Sequence, residues 1–227
     1  MTNRAMKKIS EISTQVSKQS FECTLTVDCA VFGFQEGELK VLLVKRAIEP
    51  YQDYWMLPGG IMNADQSVEE AVNSVLFNLT GLDQIHTQQV RVYSDIDRHP
   101  VKRVVTVSFY ALIKPENHPV IAKNYISDVE WVPFSKMPEL GFDHTKIAID
   151  ALKLLKANLR DHLVFGELLP KNFTLTELQD LYENILGEAL DRRNFRKKIL
   201  QLGLIENTGR KKKGVKGGPE LFRIKKN

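Results

Sequence analysis

The sequence predicts an α+β protein: a mixed sheet covered by helices, followed by a small basic unit of helices and a hairpin. Three observations carry this. Strand-like and helix-like runs are interspersed over about the first 140 residues, which argues a layered α/β arrangement. After Leu169-Pro170 the pattern changes to short capped helices. The charge divides at the same place. Residues 171–227 carry 14 Lys/Arg against 7 Asp/Glu, whereas residues 1–170 hold a small acidic excess within a total of +4. The expected organisation is an N-terminal segment 1–21, a sheet-containing domain 22–165 and a winged helix-turn-helix 166–227.

Strands come first. Thr24, Thr26, Asp28 and Ala30 interleave with Leu25, Val27, Cys29 and Val31, and Leu39–Lys45 follows the turn signal Glu36-Gly37-Glu38. Val90–Tyr93, Val104–Ile113 and Val129–Val132 are further strand candidates. Two helices interrupt them. One opens at Ser67, where Ser67-Val68-Glu69-Glu70 forms a capping box. The other opens at or just after Asp143 and carries Ile147, Ala151, Leu154 and Leu155 at helical spacing through Leu159.

The C-terminal unit is punctuated more sharply. Thr174-Leu175-Thr176-Glu177 is a capping box, with Phe173 and Leu178 placed as a hydrophobic staple and Gly187 as the stop. A second helix starts from Asp191 as N-cap. Its inward positions Phe195, Ile199 and Leu202 leave Arg192, Arg193, Arg196 and Lys197 on the outward side. Leu204-Ile205 and Leu221–Ile224 read as short strands around the Gly- and Lys-rich stretch Glu206–Glu220. Two capped helices and a basic hairpin, in that order, predict DNA binding. Arginine grips guanine O6/N7 and Asn194 suits adenine. Arg210, Lys211, Lys212, Lys213 and Lys216 would meet phosphates. A solubilising basic tail is the alternative reading of the charge.

Composition excludes other classes. The chain has 227 residues, 43% of them hydrophobic and 26% charged, which fits a globular protein rather than a disordered or fibrous one. Val41–Val44 and Phe109–Ile113 fall far short of the roughly 18 apolar residues of a membrane span. Met1–Phe21 shows no apolar signal core, so a cytoplasmic location is expected. Cys23 and Cys29 allow one bridge at most and are expected to be reduced thiols.

Trp55-Met56-Leu57-Pro58-Gly59-Gly60, followed by a helix that ends at Gly81-Leu82, resembles the Nudix hydrolases. In that family the helix supplies an Arg-Glu pair and then a Glu-Glu pair. Here Ser74-Val75 and Asn78-Leu79 stand at those positions, and Gln66 replaces the carboxylate before the helix. Magnesium requires oxygen ligands, which valine and leucine lack. The resemblance therefore implies a Nudix-shaped binding domain without catalytic residues, metal or cofactor. The alternative is a magnesium-dependent hydrolase of ADP-ribose or a nucleotide sugar, with Glu69 or Glu70 as improvised ligands.

A binding pocket is expected near Asp95-Ile96-Asp97-Arg98-His99-Pro100. Arg98 suits a bidentate hold on an anion, and Asp95 and Asp97 suit sugar hydroxyls. Lys45, Trp55 and Gln66 complete the expected effector-binding set, although Trp55 would serve equally as core packing and the loop equally as a solvated hairpin. Nearly the whole chain resembles the Nudix-related transcriptional regulators. The matching residues run from Asp97-Arg98 and Phe142-Asp143-His144 through Phe173–Gln179 to Leu190–Arg196. The resemblance implies a homodimeric repressor that binds a palindromic operator and releases it on binding an effector. L-arabinose is the favoured effector, implying a role in carbohydrate metabolism, and an ADP-ribose-like nucleotide is second.

Overall fold

A computed structural model describes residues 21–161, 168–214 and 216–225. Strand β1 (Thr24–Gln35) is buried on both faces. Val27, Cys29 and Val31 join one core layer, while Ala30 and Phe32 join the other. A strand with two apolar parities belongs inside a sheet. It runs parallel to β6 (Val104–Ile113), from Thr24↔Val104 to Gly33↔Ile113. It is antiparallel to β2 (Glu38–Arg46) across the turn at Glu36 and Gly37, both at positive φ.

β3 (Trp55–Met56), β4 (Gly59–Ile61), β5 (Gln88–Tyr93) and β7 (Ile126–Pro133) complete a seven-stranded mixed sheet, ordered β3-β2-β1-β6-β5 with β4 on β1 and β7 on β2. The sequence-based strands are thus found, and β3 and β4 are added. Those two are too short to show a period of their own.

Helix α1 (Val68–Thr80) covers one face through Ala71, Val72 and Leu76. The Ser67–Glu70 capping box satisfies its first turn, and Gly81 ends it in the left-handed conformation. Helix α2 (His144–Asp161) covers the other face through Ile147, Ala148, Ala151, Leu155 and Leu159, each at most 1% exposed. Truncating Leu155 to alanine would cost about 2–5 kcal/mol. The layers are therefore helix, sheet and helix, as the sequence predicts.

Helices α3 (Leu175–Leu186) and α4 (Arg192–Gln201) and the hairpin β8 (Ile205–Lys211)–β9 (Glu220–Ile224) form the C-terminal unit. Phe173 and Phe222 exchange both backbone hydrogen bonds, which ties the chain entering α3 to the hairpin. Tyr182 meets Phe195 edge-to-face at 5.0 Å. The expected domain boundary at 165/166 and most of the N-terminal segment lie outside the described residues. Cys23 is exposed, Cys29 is buried and both are free thiols. Among the described residues, no helix is long and apolar enough to cross a membrane.

Candidate functional site

A cavity of about 610 Å³ opens beside the strand ends. Asp28, Arg98 and His144 line it and are tied, together with Asp143 and Thr106, into one connected group. The Arg98 guanidinium donates Nε to Asp143 Oδ2 at 3.0 Å and Nη2 to Asp143 Oδ1 at 2.6 Å. Nη2 also lies 3.7 Å from Asp28 Oδ2, and Nη1 donates to the Thr106 hydroxyl, which in turn meets that of Thr26. The Leu57 amide donates to His144 Nδ1 at 3.1 Å. The other ring nitrogen, Nε2, sits 3.5 Å from Asp28 Oδ2, so the neutral imidazole carries its proton toward that carboxylate.

Burial governs the charge states. It pushes the Asp28 carboxyl up from its ordinary value more than the neighbouring His144 and Arg98 lower it. Burial likewise pushes the His144 imidazole down, against Asp28 and Asp143. Gly59 is what lets Asp28 fit: a Cβ there would stand 1.9 Å from Asp28 Oδ1.

The rest of the lining is mostly aliphatic, with Glu49 and a few cationic and aromatic side chains among it. Arg46, Lys102 and His99 stand around the opening. Burial, then Lys102, Arg98 and Arg46, hold His99 below its ordinary value. Arg46 lies 5.6 Å from the centre of the Tyr125 ring. Phe142 adopts φ 56°, an uncommon conformation for a bulky residue, and is held there between the His99 ring at 5.2 Å and Tyr51 at 4.5 Å. Such a wall suits an anionic ligand with a ring to stack.

Of the expected effector residues, only Arg98 lines this cavity. Alternation along β2 puts Val44 and Arg46 on the cavity side. Lys45 and its register partner Trp55 face the opposite layer, where Trp55 packs on the core. Gln66 instead braces α1, donating to Ser74 Oγ at 3.0 Å. Asp95 is exposed and paired with Lys146 at 3.0 Å, and Asp97 is exposed on the turn. Lys45, Trp55, Gln66, Asp95 and Asp97 therefore do not line this cavity. Sequence reasoning missed Asp28, weighed Arg46 only as a strand-end candidate beside Lys45, and named Asp143 and His144 only at a helix start and within the family resemblance. A carboxylate inside the apolar run Val27–Val31 was the available signal, because a buried charge demands partners.

The Nudix helix offers little to a metal. Leu79 is buried at the cavity floor, and Val75 is half-buried, 3.1 Å from where a Gly60 side chain would start. Asn78 is exposed. Glu70 caps Ser67 by accepting its backbone N–H at 2.8 Å, and that bond holds the carboxyl below its ordinary value. Among the described residues, no cluster of three His, Cys, Asp or Glu has metal-binding geometry. These residues do not fit a catalytic magnesium ion.

The second candidate surface is the α4 face. Arg192, Arg193, Asn194 and Lys197 are exposed on it, with Phe195 and Ile199 buried beneath. Arg196 differs from the expectation: it is half-buried, and its buried Nε finds no hydrogen-bond partner among the described residues. The turn before α4 is fixed by Glu183 Oε1, which accepts from Leu190 N at 2.8 Å and Gln179 Nε2 at 2.9 Å. On the hairpin, Arg210, Lys211, Lys213 and Lys216 are exposed. Arg210 and Lys211 belong to β8 rather than to the tip, because the strand runs further than its apolar residues indicate. Lys212 is the exception, pairing with Glu177 Oε1 at 2.6 Å in the α3 capping box. It braces the hairpin against α3.

Comparison with known proteins decides the family. Residues 24–154 match the NUDIX domain, and residues 165–224 match the NrtR DNA-binding winged helix domain. The ADPR responsive transcriptional repressor NtrR of Acinetobacter baylyi is 33% identical over 204 residues, covering 88% of this chain and 81% of that protein. The chain belongs to the Nudix-related transcriptional regulators. Among solved structures, NrtR of Shewanella oneidensis complexed with a 27mer DNA is 32% identical, covers 88% of this chain and 93% of that one, and superposes with a TM-score of 0.75. The NUDIX domain of the same NrtR complexed with ADP ribose is 31% identical, covering 61% of this chain and 92% of that one at a TM-score of 0.56. In this Nudix-related regulator the cavity and the basic helix thus lie in two separately matched units.

Proposed function

We infer that this regulator is a cytoplasmic homodimeric repressor that holds a palindromic operator through its winged helix and releases it when an ADP-ribose-like nucleotide enters the cavity. The observation that carries this reading is the cavity wall, in which Arg46, Arg98 and Lys102 stand beside Tyr125 and Phe142. Cations suit a pyrophosphate and aromatic faces suit a base. The relatives with ADP-ribose in their names support the same class of effector. Free L-arabinose finds no such support, and a neutral pentose offers these cations no opposite charge to pair with.

The domain senses rather than cleaves. Gln66, Val75, Asn78 and Leu79 replace the carboxylates that would gather magnesium, so nothing there activates water. Arg192, Arg193, Asn194, Arg196 and Lys197 read the major groove, and Arg210, Lys211, Lys213 and Lys216 follow the backbone.

Calorimetric titration of the full chain with ADP-ribose and, separately, with L-arabinose tests the effector. Saturable binding of ADP-ribose alone is the expected result. Saturable binding of arabinose without ADP-ribose binding would reverse the assignment.

A further inference from the structure

Helix α2 begins in the cavity wall and ends against the DNA-binding unit. Its N-terminus is formed by Asp143, whose carbonyl accepts from Ile147 N at 3.1 Å and whose carboxylate holds the cavity arginine Arg98. About three turns on, a length of roughly 18 Å, Lys156 projects from the same helix. Its Nζ donates to Leu186 O at 2.7 Å, the carbonyl at the C-terminus of α3. That is the negative end of the α3 dipole, where a cation is favoured and unpaired carbonyls need donors. The other end of α3 is held by the Glu177–Lys212 pair to the hairpin. Leu186 and Gly187 complete the α3 stop, and Lys156 is the side chain nearest a Cβ at Gly187.

Between its ends α2 is rigidly seated. Ile147, Ala148, Ala151 and Leu155 are fully buried on the sheet. A packed helix of this kind moves as a unit rather than bending. At its cavity end the holding charge is contestable. Asp143 keeps Arg98 only until a stronger anion competes for the same guanidinium, and a pyrophosphate is such an anion.

We propose that α2 couples the cavity to the winged helix, with the Arg98–Asp143 pair as its input and the Lys156–Leu186 hydrogen bond as its output, so that Lys156 is a positioning residue for effector-driven release of DNA. This rests on the effector reading above. An anion that takes Arg98 from Asp143 frees the α2 N-terminus, and Lys156 carries the displacement to the C-terminus of α3. Lys156 lies in neither the cavity nor the α4 face, so its loss leaves both binding events in place and removes only their linkage. Linkage between two sites is a ratio of affinities and is measured as one.

The test uses the full-length protein, ADP-ribose as the probe, and a duplex selected from a random library by the wild-type chain. Calorimetry gives the Kd for ADP-ribose, and gel shift gives the DNA Kd with and without saturating ADP-ribose. For Lys156→Met and Lys156→Gln, both separate affinities are expected within about twofold of wild type, while the ligand-induced weakening of DNA binding falls at least about fivefold, the lower bound of ordinary coupling. Lys156→Arg, which keeps a donor and a charge, restores it. A wild-type weakening retained in both Lys156 variants would overturn the coupling role and leave the effector reading intact. No ADP-ribose effect on the wild-type protein would overturn the effector reading and this proposal together.

Discussion

Arg98 holds Asp143 through two parallel hydrogen bonds, at 3.0 and 2.6 Å, inside a wall where the arginine side chain is only 5% exposed. This one fork joins the turn after β5 to the residue that precedes α2. It also pairs one of the cavity's cations with a protein carboxylate, which a competing anion would have to displace.

Removing Arg98 deprives Asp143 and Asp28 of the cation they share. Breaking one side of a buried ion pair costs about 3–5 kcal/mol, so Arg98→Met is expected to lower the unfolding free energy in urea by that amount. Arg98→Lys recovers only part of it, because an ammonium cannot make the planar fork. A loss under about 1 kcal/mol would show that the pair is solvated in solution.

His144 gives the protein a pH dependence of known sign. In the unfolded chain its imidazole takes up a proton near 6.5, whereas burial in the folded state holds it neutral to lower pH. The unfolded state then binds more protons, so stability falls as pH drops through 6.5 toward the folded value. Asp28 has the opposite sense, since its raised carboxyl favours the fold at acid pH, below about 3.8, and gives less as pH rises. His99 shares the direction of His144. The informative quantity is therefore the difference between wild type and His144→Gln, which keeps an acceptor for the Leu57 amide without titrating. The wild-type melting temperature should fall more between pH 7.5 and 5.5 than that of the variant, and equal falls would contradict the assignment.

How much of this was legible in the sequence follows from the length of each signal. The capping boxes at Ser67 and Thr174 are complete within four residues, so both helix starts were readable. The α4 face was readable because Phe195 and Ile199 set its phase. The cavity was not, because its wall joins residues far apart in the chain: Asp28 on β1, Arg98 on a turn and His144 on α2. Lys45 and Arg46 could not be told apart without the strand's parity, since a shift of one residue moves a side chain to the other face of the sheet. Lys212 looked like its neighbours because a lysine run does not reveal which member meets Glu177.

Arg193 is exposed near the start of α4, where base edges would be met. Arg193→Ala is expected to cost about 1–3 kcal/mol of specific DNA binding and to relax preference at one base pair. Gel-shift titration against selected and scrambled duplexes checks both, and unchanged affinity for the selected duplex would remove Arg193 from the readout.

The hairpin lysines separate by their salt response. If Lys211 meets a phosphate, Lys211→Met is expected to flatten the plot of log K against log salt by about 0.9. Lys212→Met removes the brace to Glu177 instead. It is expected to weaken DNA binding while the slope stays at the wild-type value. Equal flattening by both would make Lys212 a phosphate contact after all.

Recognition without cleavage is tested most directly by phosphorus NMR of the full-length protein incubated with excess ADP-ribose, magnesium and the selected duplex. The pyrophosphate signals should persist over hours while a parallel gel shift shows the duplex set free. Growth of phosphomonoester signals beyond two equivalents per protein chain, one each from AMP and ribose 5-phosphate in a single turnover, would contradict it.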